Sequence, residues 1–268
     1  MNNTIGFIGA GNMGGAIIKG LLSGGTHTSS DVIICDPRES ILQELTQTFP
    51  GIQTGTDNAK AAGASILVLA VKPQVYETVI RGIREQVKPD TIVVTIAAGL
   101  TLEKVSGWFG GKRKIVRTMP NTPALISEGM TAICPGIEVT EDELKAVQDI
   151  FNAVGKTVVL PEHLMNAYTS LAGSSPAWVF MFLEALADGA VKDGIPRALA
   201  YEIASQAVIG SARLVAQTGK HPGVLKDEVC SPGGITIEAV ATLEEAGFRS
   251  AIIRAVSDCT AKAGELGG

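Results

Sequence analysis

Short runs of consecutive apolar, mostly β-branched residues punctuate the first 160 positions of the chain. Unbroken runs of this kind mark strands buried on both faces, where alternating runs would mark strands with one wet face. They predict strands over Thr4–Ile8, Val32–Cys35, Ser65–Val71, Thr91–Ile96, Lys114–Arg117, Thr131–Cys134 and Thr157–Val159. Helical periodicity fills the intervals, for example Met13–Leu22 and Arg38–Thr48. Strand–helix–strand alternation predicts an α/β domain over 1–160, a mainly parallel sheet with helices on both faces.

After about Pro161 the strand runs stop, and 161–268 reads as all-α, broken by Gly and Pro. Pro176 suits the first turn of a helix through Val179–Val191, and Pro196 the start of the next. That next helix carries Leu199, Ile203, Ala207, Ser211 and Leu214 on one face and stops near Gly219. Another helix begins after Gly233-Gly234, and a last one covers Phe248–Ala263. Trp178–Leu183 and Ala251–Ile253 are apolar right around the helix, and such helices must be buried on all sides. A helical segment of this size has little interior of its own, so a second subunit is expected to cover it; packing on the first domain is the alternative.

Composition narrows the function. With 46% apolar and 18% charged residues the chain can bury a sizeable core, unlike a disordered one. A net charge of −5 without a basic stripe sets nucleic-acid binding aside. Cys35, Cys134, Cys230 and Cys259 form no CxxC pair, and His27, His163 and His221 are equally scattered, so neither a disulfide framework nor a metal site is expected. The first strand begins with no signal-like segment before it, and the longest apolar runs fall far below the roughly 18–20 residues that span a bilayer. A cytoplasmic protein without membrane contact is the expectation.

The strongest local signal is Gly9-Ala10-Gly11-Asn12-Met13-Gly14, which follows a strand and opens a helix. That is the setting of a dinucleotide-binding turn. Its first glycine allows the tight bend, the second lets backbone approach a pyrophosphate, and the third lets helix and strand pack closely. Free N–H groups at the helix start then face phosphate. The second strand ends at Cys35-Asp36-Pro37-Arg38. An acid about 20 positions past the glycines bonds the ribose 2′-hydroxyl and selects NAD. Asp36 holds that place, yet Arg38 could pair with a 2′-phosphate; on this chemistry the balance tilts slightly to NADH. Two further strand ends, Ala70-Val71-Lys72-Pro73 and Ala97-Ala98-Gly99, point to the same crevice, where Lys72 suits cofactor contact and the small residues suit a planar nicotinamide. Met119-Pro120-Asn121-Thr122-Pro123 adds a stiff loop with Asn121 and Thr122 as polar contacts.

These pieces, together with Ala172-Gly173-Ser174-Ser175-Pro176-Ala177, His221-Pro222-Gly223, Leu225-Lys226-Asp227 and Ser231-Pro232-Gly233-Gly234-Ile235-Thr236-Ile237-Glu238-Ala239, resemble the pyrroline-5-carboxylate reductase family from end to end. The resemblance implies a Rossmann-type domain followed by a helical dimerisation domain, with dimers that can assemble into rings. It implies that Asn58, Lys72 and the Ala97–Gly99 turn touch NADPH or NADH, and that Glu162, Glu228, Ile235 and Thr236 line the substrate pocket. The family tends to have a smaller residue at Ile235 and a small polar one near Asp36, and many members prefer NADPH, so the coenzyme choice stays open.

The implied reaction adds a hydride to the C=N carbon of 1-pyrroline-5-carboxylate and a proton to its nitrogen, giving L-proline, the last step of proline biosynthesis. The turn Ser231-Pro232-Gly233-Gly234 before a helix is a natural carboxylate receptor. Thr236 can offer its hydroxyl to the ring nitrogen, directly or through water, although a threonine is too weak an acid for free general-acid work. Helix capping by Ser231 and Thr236 is the plain alternative on sequence alone, and the resemblance favours the catalytic role. Ser174 and Ser175 read equally as caps beside Pro176 or as pocket residues. Cys230 reads as an inert thiol. Two rivals are a β-hydroxyacid dehydrogenase, disfavoured because Leu164–Leu183 lacks a lysine, and a non-catalytic dinucleotide-binding regulator.

Overall fold

The computed structural model describes residues 4–25 and 27–267, with side-chain placement through residue 265. It divides into two compact units, Met1–Ser174 with Cys259–Gly268, and Ser175–Asp258.

In the first unit the elements run β1 (Ile5–Ile8), α1 (Asn12–Ser23), β2 (Val32–Cys35), α2 (Glu39–Thr48), β3 (Gln53–Gly55), α3 (Asn58–Ala62), β4 (Ile66–Leu69), α4 (Tyr76–Ile83), β5 (Ile92–Thr95) and α5 (Leu102–Trp108). They continue with β6 (Lys114–Met119), β7 (Gly129–Pro135), α6 (Glu141–Asn152), β8 (Gly155–Val159) and α7 (Met165–Tyr168). The strands form one sheet in the order β3-β2-β1-β4-β5-β6-β7-β8. Every pairing is parallel except β6 with β7. The register is fixed by burial on both faces. Ile5, Phe7, Ile66, Val68, Ile92 and Val94 face one core, whereas Ile8, Leu67, Leu69 and Val93 face the other. That two-sided burial is why these strands read as continuous apolar runs rather than alternating ones.

Each predicted strand is present. The added strand, β3, pairs only with β2 at the sheet edge. Its residues Gln53-Thr54-Gly55 contain no apolar side chain, so they carried no strand signal. Pro176 stands in the first turn of its helix, as expected, as the second residue. No loop precedes it: α7, a π-type turn at Thr169–Ser174 and α8 (Ser175–Lys192) follow one another directly. Proline has no N–H for the carbonyl four residues back, here that of Ala172. The Asn121 Nδ2 donates to that oxygen at 2.9 Å, so the carbonyl is satisfied from outside the helix.

In the second unit α8 is followed by α9 (Arg197–Thr218), α10 (Pro222–Val229), α11 (Ile235–Glu245) and the first half of α12 (Phe248–Gly267). Pro196 is the N-cap of α9, and Gly219 ends that helix in the left-handed conformation at φ 64°. Helices α8 and α9 pack together, and the rings of Phe182 and Phe248 lie 6.2 Å apart. Only Ala187, Ala200 and Ala204 are buried in this unit. Phe180, Met181, Ile203 and Ile253 are each at least half exposed, which leaves the unit with almost no interior of its own.

Candidate active site

The chain runs from β1 to β2 on one side and returns to β4 on the other, so the carboxyl ends of β1 and β4 flank a topological switch point. Ligands bind at such points in open α/β sheets. A cleft of 910 Å³ opens there, lined by Gly9, Gly11, Asn12 and Met13, by Asp36 and Arg38, by Ala70–Pro73, by Ala97 and Ala98, and by Asn121. The three glycines divide the work as their spacing implies. Gly9 sits at φ +99°, and a Cβ there would come 2.6 Å from the Ala70 carbonyl oxygen. A Cβ on Gly14 would come 2.5 Å from the Gly9 oxygen, which is why α1 can lie against the turn only with glycine there. A Cβ on Gly11 would meet only the Arg38 Nη2, at 3.7 Å, so this residue faces open cleft. Gly11 is also the N-cap of α1 without a side-chain cap, leaving the first helical N–H groups for an anion. The turn is thus a cradle that a side chain would fill, and it fits a pyrophosphate.

Among the other sequence candidates, Ala10 lines a neighbouring 520 Å³ cavity with Gly11 and Arg38, and Gly14 and Gly99 shape their turns without lining the cleft. Asn58 opens α3 outside the cleft lining. Lys72 lies exposed on the cleft rim and makes no ion pair among the described residues.

The side chain of Asp36 is 2% exposed and turned inward. Its Oδ2 accepts from the Ala10 N–H at 2.8 Å and from Arg38 Nη2 at 2.8 Å; its Oδ1 accepts from the Arg38 N–H at 2.9 Å and from Nε at 2.8 Å. Burial alone would raise its pKa, but the hydrogen bonds from Arg38 and Ala10 outweigh it and bring the carboxyl down to about 2.

Three contacts that the sequence did not signal brace the crevice. The buried Tyr76 hydroxyl donates to the Leu69 carbonyl and accepts from the Ile96 N–H at 3.3 Å, tying the ends of β4 and β5 together; its burial pushes the phenol pKa up. Asn121 accepts from the Met130 N–H at 2.8 Å while donating to Ala172, so both ends of its amide are engaged. Glu162 Oε1 accepts from the Leu102 N–H at 2.8 Å and pairs with the buried Arg117 at 3.1 Å, pinning the start of α5 just past the Ala97–Gly99 turn. A lone arginine at the end of the run Lys114-Ile115-Val116-Arg117 was the one available hint of a buried partner.

The second unit holds the remaining candidates. Ser231–Gly234 forms a turn closed by the Gly234 N–H to the Ser231 carbonyl at 3.0 Å, with Gly233 at φ +69°. A Cβ on Gly234 would come 2.3 Å from the Ser231 Oγ, so a side chain there would have to displace that hydroxyl. Helix α11 starts there without a side-chain cap, so neither Ser231 nor Thr236 performs the capping that was their plain alternative. Thr236 is half-buried, whereas Ile235 is 91% exposed. Glu228 pairs with Lys220 at 2.7 Å, and Ser175 is the first residue of α8. No cluster of metal-ligating side chains occurs among the described residues, and no helix is long and apolar enough to cross a membrane.

Fold and cleft together define a nicotinamide-dinucleotide-dependent oxidoreductase with an added helical module. Residues 4–99 match the family described as NADP oxidoreductase coenzyme F420-dependent, and residues 162–266 match pyrroline-5-carboxylate reductase dimerisation. The chain is 46% identical to the pyrroline-5-carboxylate reductase of Escherichia coli, over 99% of both chains, and 43% identical to that of Methanosarcina acetivorans, over 99% of this chain and 98% of that one. Among solved structures, a pyrroline-5-carboxylate reductase from Coxiella burnetii superposes with a TM-score of 0.94 at 30% identity, covering 100% of each chain. A pyrroline carboxylate reductase from Plasmodium falciparum with NADP bound gives 0.89 at 30% identity, covering 100% of this chain and 99% of that one. The chain belongs to the pyrroline-5-carboxylate reductase family.

Proposed function

We propose that the protein reduces 1-pyrroline-5-carboxylate to L-proline with NADPH or NADH, the closing step of proline biosynthesis. The observation that carries this reading is the full-length kinship: the likeness to the Escherichia coli enzyme spans both the glycine turn and the Ser231–Thr236 run.

The reduced nicotinamide supplies the hydride when bound. The chain's own residues do the placing. Gly9–Gly14 and the start of α1 receive the pyrophosphate, Lys72 adds a cation at the rim, and Ala97 and Ala98 leave room for a flat ring. Gly99, in the left-handed region at φ 76°, turns the chain toward α5, and Glu162 holds that turn through Leu102. The Ser231–Gly234 turn and the uncapped N–H groups of α11 receive the substrate carboxylate. Thr236 holds a hydroxyl for the ring nitrogen and delivers its proton, directly or through water. Glu228, Ser175 and the Ile235 backbone complete the substrate shell.

The helical module, taken as 161–268 after a dinucleotide-binding domain of 1–160, joins two copies, because a unit with three buried alanines must bury its apolar helices elsewhere. A ring of such dimers is the larger assembly. Four free thiols suit the reducing cytoplasm, where we place the reaction. The test is direct: purified protein, 1-pyrroline-5-carboxylate and each reduced coenzyme in turn. Coenzyme oxidation matched by an equal amount of L-proline is expected, and no oxidation with either coenzyme refutes the proposal.

A further inference from the structure

An acid at the end of the second strand ordinarily accepts the ribose 2′-hydroxyl and turns a 2′-phosphate away. In this chain that carboxylate is already spent. Both Asp36 oxygens accept two hydrogen bonds each, from the Ala10 N–H and from three Arg38 donors, and almost none of the side chain reaches solvent. Arg38 is the reverse case. Its Nε and Nη2 are fixed on Asp36, its side chain is 55% exposed, and its Nη2 lies 3.7 Å from where a Cβ on Gly11, the glycine that faces open cleft, would stand.

We propose that Arg38, locked by Asp36 beside the glycine turn, is the receptor for a ribose 2′-phosphate and makes this chain selective for NADPH, with Asp36 a positioning residue and not the ribose ligand. The proposal rests on the reductase reading above and decides the coenzyme that reading leaves open.

Charge and geometry agree on this. The Asp36–Arg38 pair is neutral as a whole, but its anionic half is buried and its cationic half faces the cleft, so an incoming phosphate meets guanidinium. Among the described residues Nη1 takes no part in the pairing with Asp36 and can turn to a phosphate, and a guanidinium held on one edge loses little freedom when it binds on the other. The nearby acids are occupied or turned aside: Glu44 pairs with Lys19 at 2.8 Å, and Glu39 lines a separate cavity with Lys60. Arg38 also stands immediately before α2, which has no side-chain cap, so that helix start adds to the attraction.

The test compares adenosine 2′,5′-bisphosphate with adenosine 5′-monophosphate by calorimetry, and NADPH with NADH as kcat/KM. Wild type is expected to favour the 2′-phosphorylated member of each pair by about ten- to a hundredfold, the range of charge-assisted hydrogen bonds. Arg38→Met should bring both ratios to within about threefold of unity, and Arg38→Lys, with charge but no fork, should fall between. Asp36→Asn gives opposite signs for the two roles. As an anchor its loss lowers the preference for the 2′-phosphate; as a ribose ligand its loss raises that preference. A wild-type ratio at or below one, or a ratio that rises in Asp36→Asn, overturns the proposal. If neither coenzyme is oxidised with 1-pyrroline-5-carboxylate while the calorimetric ratio persists, the reductase reading fails and this one stands. Turnover with NADH preferred sinks this one alone.

Discussion

Replacing Glu162 by alanine separates two roles the carboxylate can play. Its Oε1 accepts the Leu102 N–H at 2.8 Å and faces Arg117 at 3.1 Å, where the arginine side chain is 6% exposed. Removing the carboxylate strands a buried guanidinium, and breaking a buried pair costs about 3–5 kcal/mol. Glu162 is itself 34% exposed, so water replaces part of the loss, and Asn166 keeps one long contact to Arg117 at 3.5 Å. A cost of about 2–3 kcal/mol follows. In a chain of this size that lowers Tm by roughly 5–10 °C. Glu162→Gln keeps an oxygen for Leu102 and should cost about half as much. Combining Glu162→Gln with Arg117→Met removes the stranded charge and should recover about 1–2 kcal/mol, a coupling a double-mutant cycle reads directly. Because Leu102 follows the Ala97–Gly99 turn, KM for the coenzyme should rise about three- to tenfold in Glu162→Ala. The assay is thermal unfolding beside steady-state kinetics with each substrate varied. An unchanged Tm with KM raised only for 1-pyrroline-5-carboxylate would refute the bracing role and make Glu162 a direct substrate contact.

Other perturbations have outcomes set by the same geometry. Gly14→Val drives a Cβ to within 2.5 Å of the Gly9 oxygen, and coenzyme affinity by fluorescence titration should fall more than about tenfold while far-ultraviolet dichroism stays native. Thr236→Ala should lower kcat about tenfold or more with coenzyme KM near normal, and Thr236→Ser should restore most of it. Met181→Glu with Ile253→Glu places charges on two side chains that are each 66% exposed in the single chain, and sedimentation should show loss of the dimer. Asp36, with its carboxyl lowered from 3.8 to about 2, contributes stability that is fully present above pH 3.8 and lost as pH falls toward 2. After discounting for the half-exposed Arg38 this is about 1–2 kcal/mol, and Asp36→Asn should flatten acid unfolding in that window.

The α/β half was legible because its strands are buried on both faces and advertise themselves as unbroken apolar runs. Gln53-Thr54-Gly55 escaped because an edge strand of polar residues carries no such mark. The glycine turn was legible because Gly9 and Gly14 answer local steric demands and Gly11 leaves the cleft open. The direction of Asp36 was not: spacing placed the acid correctly, but the Ala10 N–H and the Arg38 fork decide where it points. Glu162 and Arg117 lie 45 residues apart in sequence, and only the packing of α7 on β7 explains their meeting. Pro176 marked the start of α8 legibly, but nothing in the sequence shows Asn121 meeting the Ala172 carbonyl that the proline cannot serve.

The scarcity of buried side chains in Ser175–Asp258 ties the life of the protein to its own abundance. A newly made copy carries a helical segment whose greasy faces have nowhere to go until another copy arrives, so maturation is second order in chain number and slows sharply on dilution. A subunit damaged in these helices would then spoil the sound one it meets, and the harm of such a lesion would exceed its share of the pool.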